Sequence, residues 1–222
     1  MNTSIIADNF FDDPDDIYRF SNEQEYGYCN TGHWPGQRTI ELGRKYPDFS
    51  EYLVKLLFKH GRFVYNTPKT KIRINSYFQK IQPFSNNPLD LANKGFIHHD
   101  YGEWENQKNN GMVTHTVVVY LNQPEDIFAG TTIYQLKENI DSIYYASEIK
   151  APLLTKKMKT EDFDEKMQKH LDQFTEDYDC KNKFNRMFSF DSKQYHGVKT
   201  FYSESTAPRL TLISFLSVID EY

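Results

Sequence analysis

The sequence predicts a mainly β protein, a sandwich or barrel of antiparallel strands with flanking helices. Aromatic residues make up 16% of the 222 residues, including 17 Phe and 16 Tyr, and these residue types favour strands. About eight short runs with a β-like pattern follow one another, with Gly, Pro and Asn between them. The runs are 71–81, 95–101, 112–122, 130–136, 140–147, 186–192, 195–201 and 209–219.

Two helices are expected before the strands. Asp13 and Pro14 combine a capping residue with a first-turn proline, which predicts a helix from about Pro14 to Glu25. Ser50 can cap a second helix over residues 51–60. The first third of the chain is therefore expected to support the strands.

A third helix is predicted within an interruption of the strands, at residues 150–185. Apolar residues recur there at three- and four-residue spacing with charges between them, as on an amphipathic helix. They are Phe163, Met167, Leu171, Phe174 and Tyr178. Such a helix is commonly a packed surface element, and a lid over a site is the alternative. One domain, 1–222, would then comprise a helical support (1–69), a β core (70–149 and 186–222) and a helical insert (150–185).

Composition and charge exclude several classes of protein. The formal net charge is −5, so no global positive field draws the chain to duplex nucleic acid or anionic membranes. No apolar run approaches the ~18 residues that span a bilayer, and the first residues lack a signal-peptide pattern. Cys29 and Cys180 are too few for a disulfide scaffold. We expect a soluble cytoplasmic protein without membrane partners, and its oligomeric state stays open.

The residues that carry chemistry begin with His98 and Asp100. They stand at i and i+2 in a predicted strand, so they point the same way and His99 points the other. One imidazole and one carboxylate on a strand face form two thirds of a facial triad for non-haem Fe(II). His196, in the penultimate strand, can supply the third ligand across the barrel. The alternative is a surface pair that binds no ion.

Arg209 opens the last predicted strand and shares a face with Thr211. A guanidinium fork with a neighbouring hydroxyl suits a buried carboxylate, and an unpaired Arg in an apolar strand would be costly. Residues 203–208 supply a turn, so the strands bearing His196 and Arg209 are expected to form a hairpin.

This order of motifs resembles the double-stranded β-helix family of Fe(II)/2-oxoglutarate-dependent dioxygenases. The matching residues are HHD at 98–100, His196 and the Arg-Leu-Thr of 209–211. VVVYLN at 117–122, followed by AGTT at 129–132, is similar to a strand-turn-strand of prolyl-4-hydroxylase-like members, although they usually have a Gly pair in place of Ala-Gly.

The N-terminal segments suggest a narrower resemblance. DNFFDDP at 8–14 and WPGQRT at 34–39 are similar to an uncharacterised oxygenase-like group common in bacteriophage genomes, for which the host cytoplasm would be the location. The similarity of the catalytic core covers roughly residues 70–220.

The resemblance implies a fold, cofactors and roles for residues. The fold would be a double-stranded β-helix, jelly-roll or cupin-like, with N-terminal helices and one inserted helix. Fe(II) would be held by His98, Asp100 and His196, with 2-oxoglutarate as cosubstrate and O2 as the oxidant. The distal carboxylate of 2-oxoglutarate would meet Arg209, and decarboxylation to succinate would usually accompany hydroxylation of the substrate.

Further candidates are less specific. Thr211, Tyr77 and Tyr120 could donate hydroxyl hydrogen bonds to 2-oxoglutarate, although each Tyr is also an ordinary core aromatic. Three residues could contact the substrate or else be solvated loop residues: Tyr101, Trp104 and Arg38. Of the remaining histidines, two are expected to pack near the site and three to face solvent; they are His99 and His115, then His33, His60 and His170.

The substrate stays open among a peptide side chain, a free amino acid and a small metabolite. Two rival functions remain. One is a cupin-type metalloenzyme that does not use 2-oxoglutarate, and the other is a non-catalytic β-sandwich that serves as a structural or binding protein.

Overall fold

A computed structural model describes residues 4–31, 33–61, 70–100, 112–123, 129–138, 149–150, 152, 160–202, 204 and 207–220. The strands are β1 Ile5–Ala7, β2 Gly27–Tyr28, β3 Gln37–Arg38, β4 Thr70–Ile81, β5 Met112–Tyr120, β6 Thr131–Leu136, β7 Phe174–Cys180, β8 Met187–Asp191, β9 Tyr195–Val198 and β10 Arg209–Asp220. The helices are α1 Pro14–Asn22, α2 Leu42–Lys45, α3 Pro47–Gly61 and α4 Thr160–Leu171, with a short 3-10 turn at Leu91–Asn93.

The strands form two antiparallel sheets. The larger has the order β1-β8-β5-β10-β4-β3-β2, and the smaller has the order β7-β6-β9. The prediction of a mainly β protein with antiparallel strands is therefore confirmed. No helix in the part of the chain that the structure describes is long and apolar enough to cross a membrane.

Strand alternation gives the large sheet two different faces. Val117, Val119 and Leu210 point to the core beneath the N-terminal helices, where they are buried. Thr116 and Arg209, one residue away on the same strands, line a cavity on the opposite face. Because successive side chains of a strand alternate, the alternation that points the apolar side chains at the helices also points Thr116 and Arg209 into the cavity.

Two of the N-terminal helices, α1 and α3, begin at a proline. Asp13 caps α1 by accepting a hydrogen bond from the amide of Asp16, and Pro14 occupies the first turn, as predicted. The helix ends at Asn22, earlier than expected. α3 begins at Pro47, ahead of the predicted cap at Ser50, because another proline can occupy a first turn.

The inserted helix is shorter than its apolar stripe suggested. α4 ends at Leu171, and Phe174 and Tyr178 lie on β7, which pairs with β6. The prediction of a helix through Tyr178 is wrong because a four-residue spacing returns to the same face in a strand as well as in a helix. The segment 150–185, predicted as a helical insert, therefore also contains β7 of the small sheet.

Two predictions about strand pairing are also wrong. Residues 95–100 form a single β-bridge, between His98 and His196, where a strand was expected. β9 and β10 do not form a hairpin, since β9 pairs with β6 whereas β10 pairs with β4 and β5. The chain crosses from one sheet to the other between them. The predicted strand at 140–147 lies outside the described residues.

Candidate metal centre

The segment around His98 lies against β9 in the small sheet. The His98 amide donates to the carbonyl of His196 at 2.9 Å, and the His196 amide donates back at 2.7 Å. Asp100 is fixed by a bond from its amide to the carbonyl of Ser192 at 3.0 Å. These bonds place the two imidazoles side by side, with ring centroids 4.5 Å apart.

The close approach of this segment to β9 depends on a glycine. A Cβ added at Gly95 would lie 2.0 Å from the carbonyl oxygen of Val198, much closer than real contacts allow. Any side chain at position 95 would therefore push the segment away from the strand that carries His196.

Three potential ligands converge in this way. The Nε2 atom of His98 lies 3.7 Å from Asp100 Oδ1, and the Nε2 atom of His196 lies 3.4 Å from Asp100 Oδ2. One ligand atom from each residue lies within 4.8 Å of the others, so the group could hold a metal ion. The donor set of two imidazoles and one carboxylate is that of the non-haem Fe(II) facial triad.

Neighbouring groups orient each potential ligand for such an ion. The Nδ1 atoms of His98 and His196 are bonded to the carbonyls of Phe96 and Gln194, at 2.8 and 3.0 Å. A neutral ring that donates through Nδ1 keeps the Nε2 lone pair for a metal. Thr116 donates to Asp100 Oδ2 at 2.5 Å and holds the carboxylate in place. The residues present therefore fit a divalent cation.

The electrostatics favour the protonation states that a metal needs. Burial, together with the nearby His196 and Lys150, holds the pKa of His98 well below its usual value. Burial acts to raise the pKa of Asp100, but the His196 and His98 imidazoles and the Thr116 hydroxyl outweigh it and lower that pKa. At neutral pH the first group is an uncharged imidazole and the second a carboxylate, as metal ligation requires.

A cavity opens beside the triad, and Arg209 lies in its wall. The guanidinium is buried, with Nε donating to the carbonyl of Ala129 at 2.8 Å and Nη2 lying 3.5 Å from Thr131 Oγ1. Thr211, on the same face of β10, also lines the cavity and is buried. The structure thus brings Arg209 and Thr211 to the cavity that is also lined by the three potential ligands. These are His98, Asp100 and His196.

The two tyrosines predicted to contact 2-oxoglutarate, Tyr120 and Tyr77, do not line the cavity. Tyr120 is fully buried behind Arg209, with its ring centroid 5.7 Å from the guanidinium carbon, and burial strongly raises its pKa. Tyr77 packs near Phe215, and burial raises its pKa too. Neither is among the residues that line the cavity.

Arg38 does line the cavity. Its guanidinium carbon lies 4.8 Å from the centroid of the Trp34 ring, and Nη2 donates to Gln79 Oε1 at 3.3 Å. The Gln79 amide donates in turn to the carbonyl of Pro35, which fixes the arrangement. The other two candidates for substrate contact, Tyr101 and Trp104, lie outside the described residues.

The remaining histidines give one clear correction. His99 points away from the triad, as predicted, and its ring packs 5.4 Å from that of Tyr195. His33 is exposed, but His60 is half-buried beside Phe10. His170 was expected in solvent and is fully buried, because it lies on the inner face of α4.

Sequence reasoning missed several polar groups of the cavity. They are Gln79, Thr116, Thr131 and Lys150. Thr116 could have been found, because it directly precedes the apolar run at 117–121 and shares a strand face with Val118. The position of Lys150 in the cavity could not have been predicted from sequence, since it belongs to no recognisable motif and its burial depends on tertiary contacts.

Two solved structures share the fold of this chain. HygX from Streptomyces hygroscopicus, determined with nickel, 2-oxoglutarate and hygromycin B bound, has a TM-score of 0.59 and 11% identity, covering 97% of this chain and 83% of HygX. The non-heme alpha-ketoglutarate-dependent carbocyclase SnoK from nogalamycin biosynthesis has a TM-score of 0.55 and 8% identity, covering 99% and 82%. The fold is the double-stranded β-helix of the 2-oxoglutarate/Fe(II) oxygenases, which confirms the predicted fold class.

The chain belongs to a family whose model is described as "Family of unknown function (DUF6445)" and matches residues 2–216. No curated protein matches the sequence.

Proposed function

We propose that the chain is an Fe(II)/2-oxoglutarate-dependent oxygenase that hydroxylates a small-molecule or peptide substrate. The observation that carries this proposal is the placing of three convergent ligands and a buried guanidinium in one cavity. His98, Asp100 and His196 would hold Fe(II), and Arg209 would bind the distal carboxylate of 2-oxoglutarate. Duplex nucleic acid and membranes are not among the partners that we propose.

The charges of such a complex balance. Fe(II) and Arg209 contribute three positive charges, and Asp100 with the 2-oxoglutarate dianion contributes three negative ones. A buried ion is tolerated only when it is paired or coordinated, as each of these four charged groups is in the proposed complex. Arg38 and Lys150 also line the cavity, so the cavity as a whole favours anionic ligands.

The residues of the chain hold and orient the reactants. The three residues that would hold Fe(II) all line the cavity, so a cosubstrate bound there would lie beside the metal. Thr116 fixes the carboxylate of Asp100, and apolar side chains, including Phe96, Val118 and Ile213, exclude water. When bound, Fe(II) supplies the oxidative chemistry in which 2-oxoglutarate, O2 and a substrate C–H bond yield succinate, CO2 and a hydroxylated product.

The relatives support the cofactors more strongly than the outcome of the reaction. HygX has been determined with 2-oxoglutarate and a metal, and SnoK is described as a carbocyclase. Consumption of 2-oxoglutarate is the step that an oxygenase of this class must show, and hydroxylation is the outcome we propose for this chain.

Anaerobic titration tests the proposal. Addition of Fe(II) and then 2-oxoglutarate should produce the weak visible charge-transfer band of the chelate, and admission of O2 should yield succinate. Asp100→Ala is the control, which should show neither signal. A parent protein that binds Fe(II) but gives no band at saturating 2-oxoglutarate would favour the rival metalloenzyme without an oxoacid. A parent that binds no Fe(II) would favour a non-catalytic protein.

A further inference from the structure

Among the described residues, the backbone that carries His98 pairs with one strand. On one side it bonds to β9 through the bridge to His196. The amide of Ile97 instead bonds to the side chain of His170, whose Nε2 accepts at 3.1 Å. Ile97 and His170 are both buried, so this bond is sheltered from water. A buried amide needs an acceptor, and here the imidazole of His170 provides it.

Helix α4 packs over the same segment. Phe163 and Met167 belong to a buried cluster with Phe96 and Ile149. Phe96 is also the residue whose carbonyl orients the His98 ring. The helix therefore covers the short stretch from which one of the three ligands projects.

We propose that His170 is a positioning residue of the metal centre, which accepts the Ile97 amide and thereby fixes the backbone that carries His98. This inference rests on the proposed function, because it assumes that His98 binds a metal. His170 itself is not one of the converging ligands. The inserted helix is thus part of the support of the site.

Three variants distinguish the effect of losing the hydrogen-bond acceptor of His170 from the effect of changing the shape of the side chain. His170→Phe keeps a ring of similar size but removes the acceptor. His170→Gln places an amide oxygen near the position of Nε2. Met167→Leu is the matched control, because it changes the same helix face with a volume-conserving apolar exchange.

Co(II) is the probe, since its visible spectrum reports both occupancy and ligand geometry. We expect His170→Phe to raise the Kd for Co(II) about ten-fold, the lower end of the effect of groups that orient metal ligands. Its Co(II) spectrum should also change. His170→Gln should recover most of the affinity, and Met167→Leu should bind as the parent does.

Amide hydrogen exchange in the metal-free proteins provides the second measurement. In His170→Phe the Ile97 amide should exchange faster, whereas the amide of Leu121, bonded to the carbonyl of Leu210, should not change. His170→Gln should restore protection of Ile97.

The outcomes distinguish the two proposals. If the parent binds Co(II) and His170→Phe binds it with the same Kd and spectrum, the inference is wrong although the proposed function stands. Equal acceleration of the Ile97 and Leu121 amides would show a general loss of stability and would also overturn the inference. A parent that binds neither Co(II) nor Fe(II) overturns the proposed function and, with it, a positioning role at a metal.

Discussion

Removal of Arg209 should weaken the binding of 2-oxoglutarate and leave the binding of Fe(II) nearly unchanged. Arg209 is only 6% exposed, and its guanidinium is held by the carbonyl of Ala129 in the wall of the cavity. It lies among the lining residues with the triad but is not one of the three converging ligands. Arg209→Ala therefore deletes a preorganised cation without removing a potential metal ligand.

The magnitude follows from the burial of the pair. Hydrogen bonds to charged groups contribute about 1.5–3 kcal/mol, and about 1.4 kcal/mol corresponds to a factor of ten in affinity. Arg209→Ala should therefore raise the Kd for 2-oxoglutarate by roughly ten- to a hundred-fold. Arg209→Lys should fall between the parent and the Ala variant, because the charge remains and the planar fork is lost.

The assay is anaerobic titration of the Fe(II)-loaded proteins with 2-oxoglutarate, using the charge-transfer band, after Fe(II) affinity has been measured alone. Arg186→Ala is the matched control, since it removes an arginine that pairs with Asp8 outside the cavity. It should bind 2-oxoglutarate as the parent does. If Arg209→Ala also binds the cosubstrate like the parent, the assignment of Arg209 is wrong and the oxoacid binds elsewhere.

Three further predictions test the site and the fold. Alanine at each potential ligand should abolish Fe(II) binding measured by equilibrium dialysis, whereas His99→Ala should retain it because that ring packs on Tyr195; the potential ligands are His98, Asp100 and His196. Thr116→Val should raise the Kd for Fe(II) about ten-fold by removing the hydroxyl that orients a ligand, and an unchanged Kd would count against that role. Asn185→Ala should lower the free energy of unfolding in urea by about 2 kcal/mol, because its side chain bonds both the amide and the carbonyl of Phe11. A loss below about 0.5 kcal/mol, the lower bound for one such bond, would refute this account.

The relative placing of His98 and Asp100 could be predicted from sequence because it depends on local alternation. His98 and Asp100 are two residues apart in an extended segment, which places them on one side and His99 on the other. The expected strand proved to be a single bridge to His196, yet the alternation held, since extended backbone alone directs the side chains.

The arrangement of the strands could be predicted only in part. Long strands such as β4 and β10 were placed within a residue of their observed bounds. The supposed hairpin failed because a turn sequence at 203–208 says nothing about which sheet each strand joins. Likewise, the burial of His170 could have been predicted from its place three residues after Met167 on the apolar face of α4, but its contact with Ile97, 73 residues away in sequence, could not.

The two ends of the candidate site belong to different sheets, and this division explains how its parts can work together. His196 is on β9 of the small sheet, and the bridge ties His98 to it. Arg209 and Thr211 are on β10 of the large sheet. The distance between the three potential metal ligands and Arg209 is therefore set by packing between the sheets. There, one buried cluster joins Val118 of β5 to residues of β6 and β8. Because packed interiors resist changes of even one methylene, this cluster can hold the two ends at a fixed separation, as the proposed binding of 2-oxoglutarate between a metal and Arg209 would require.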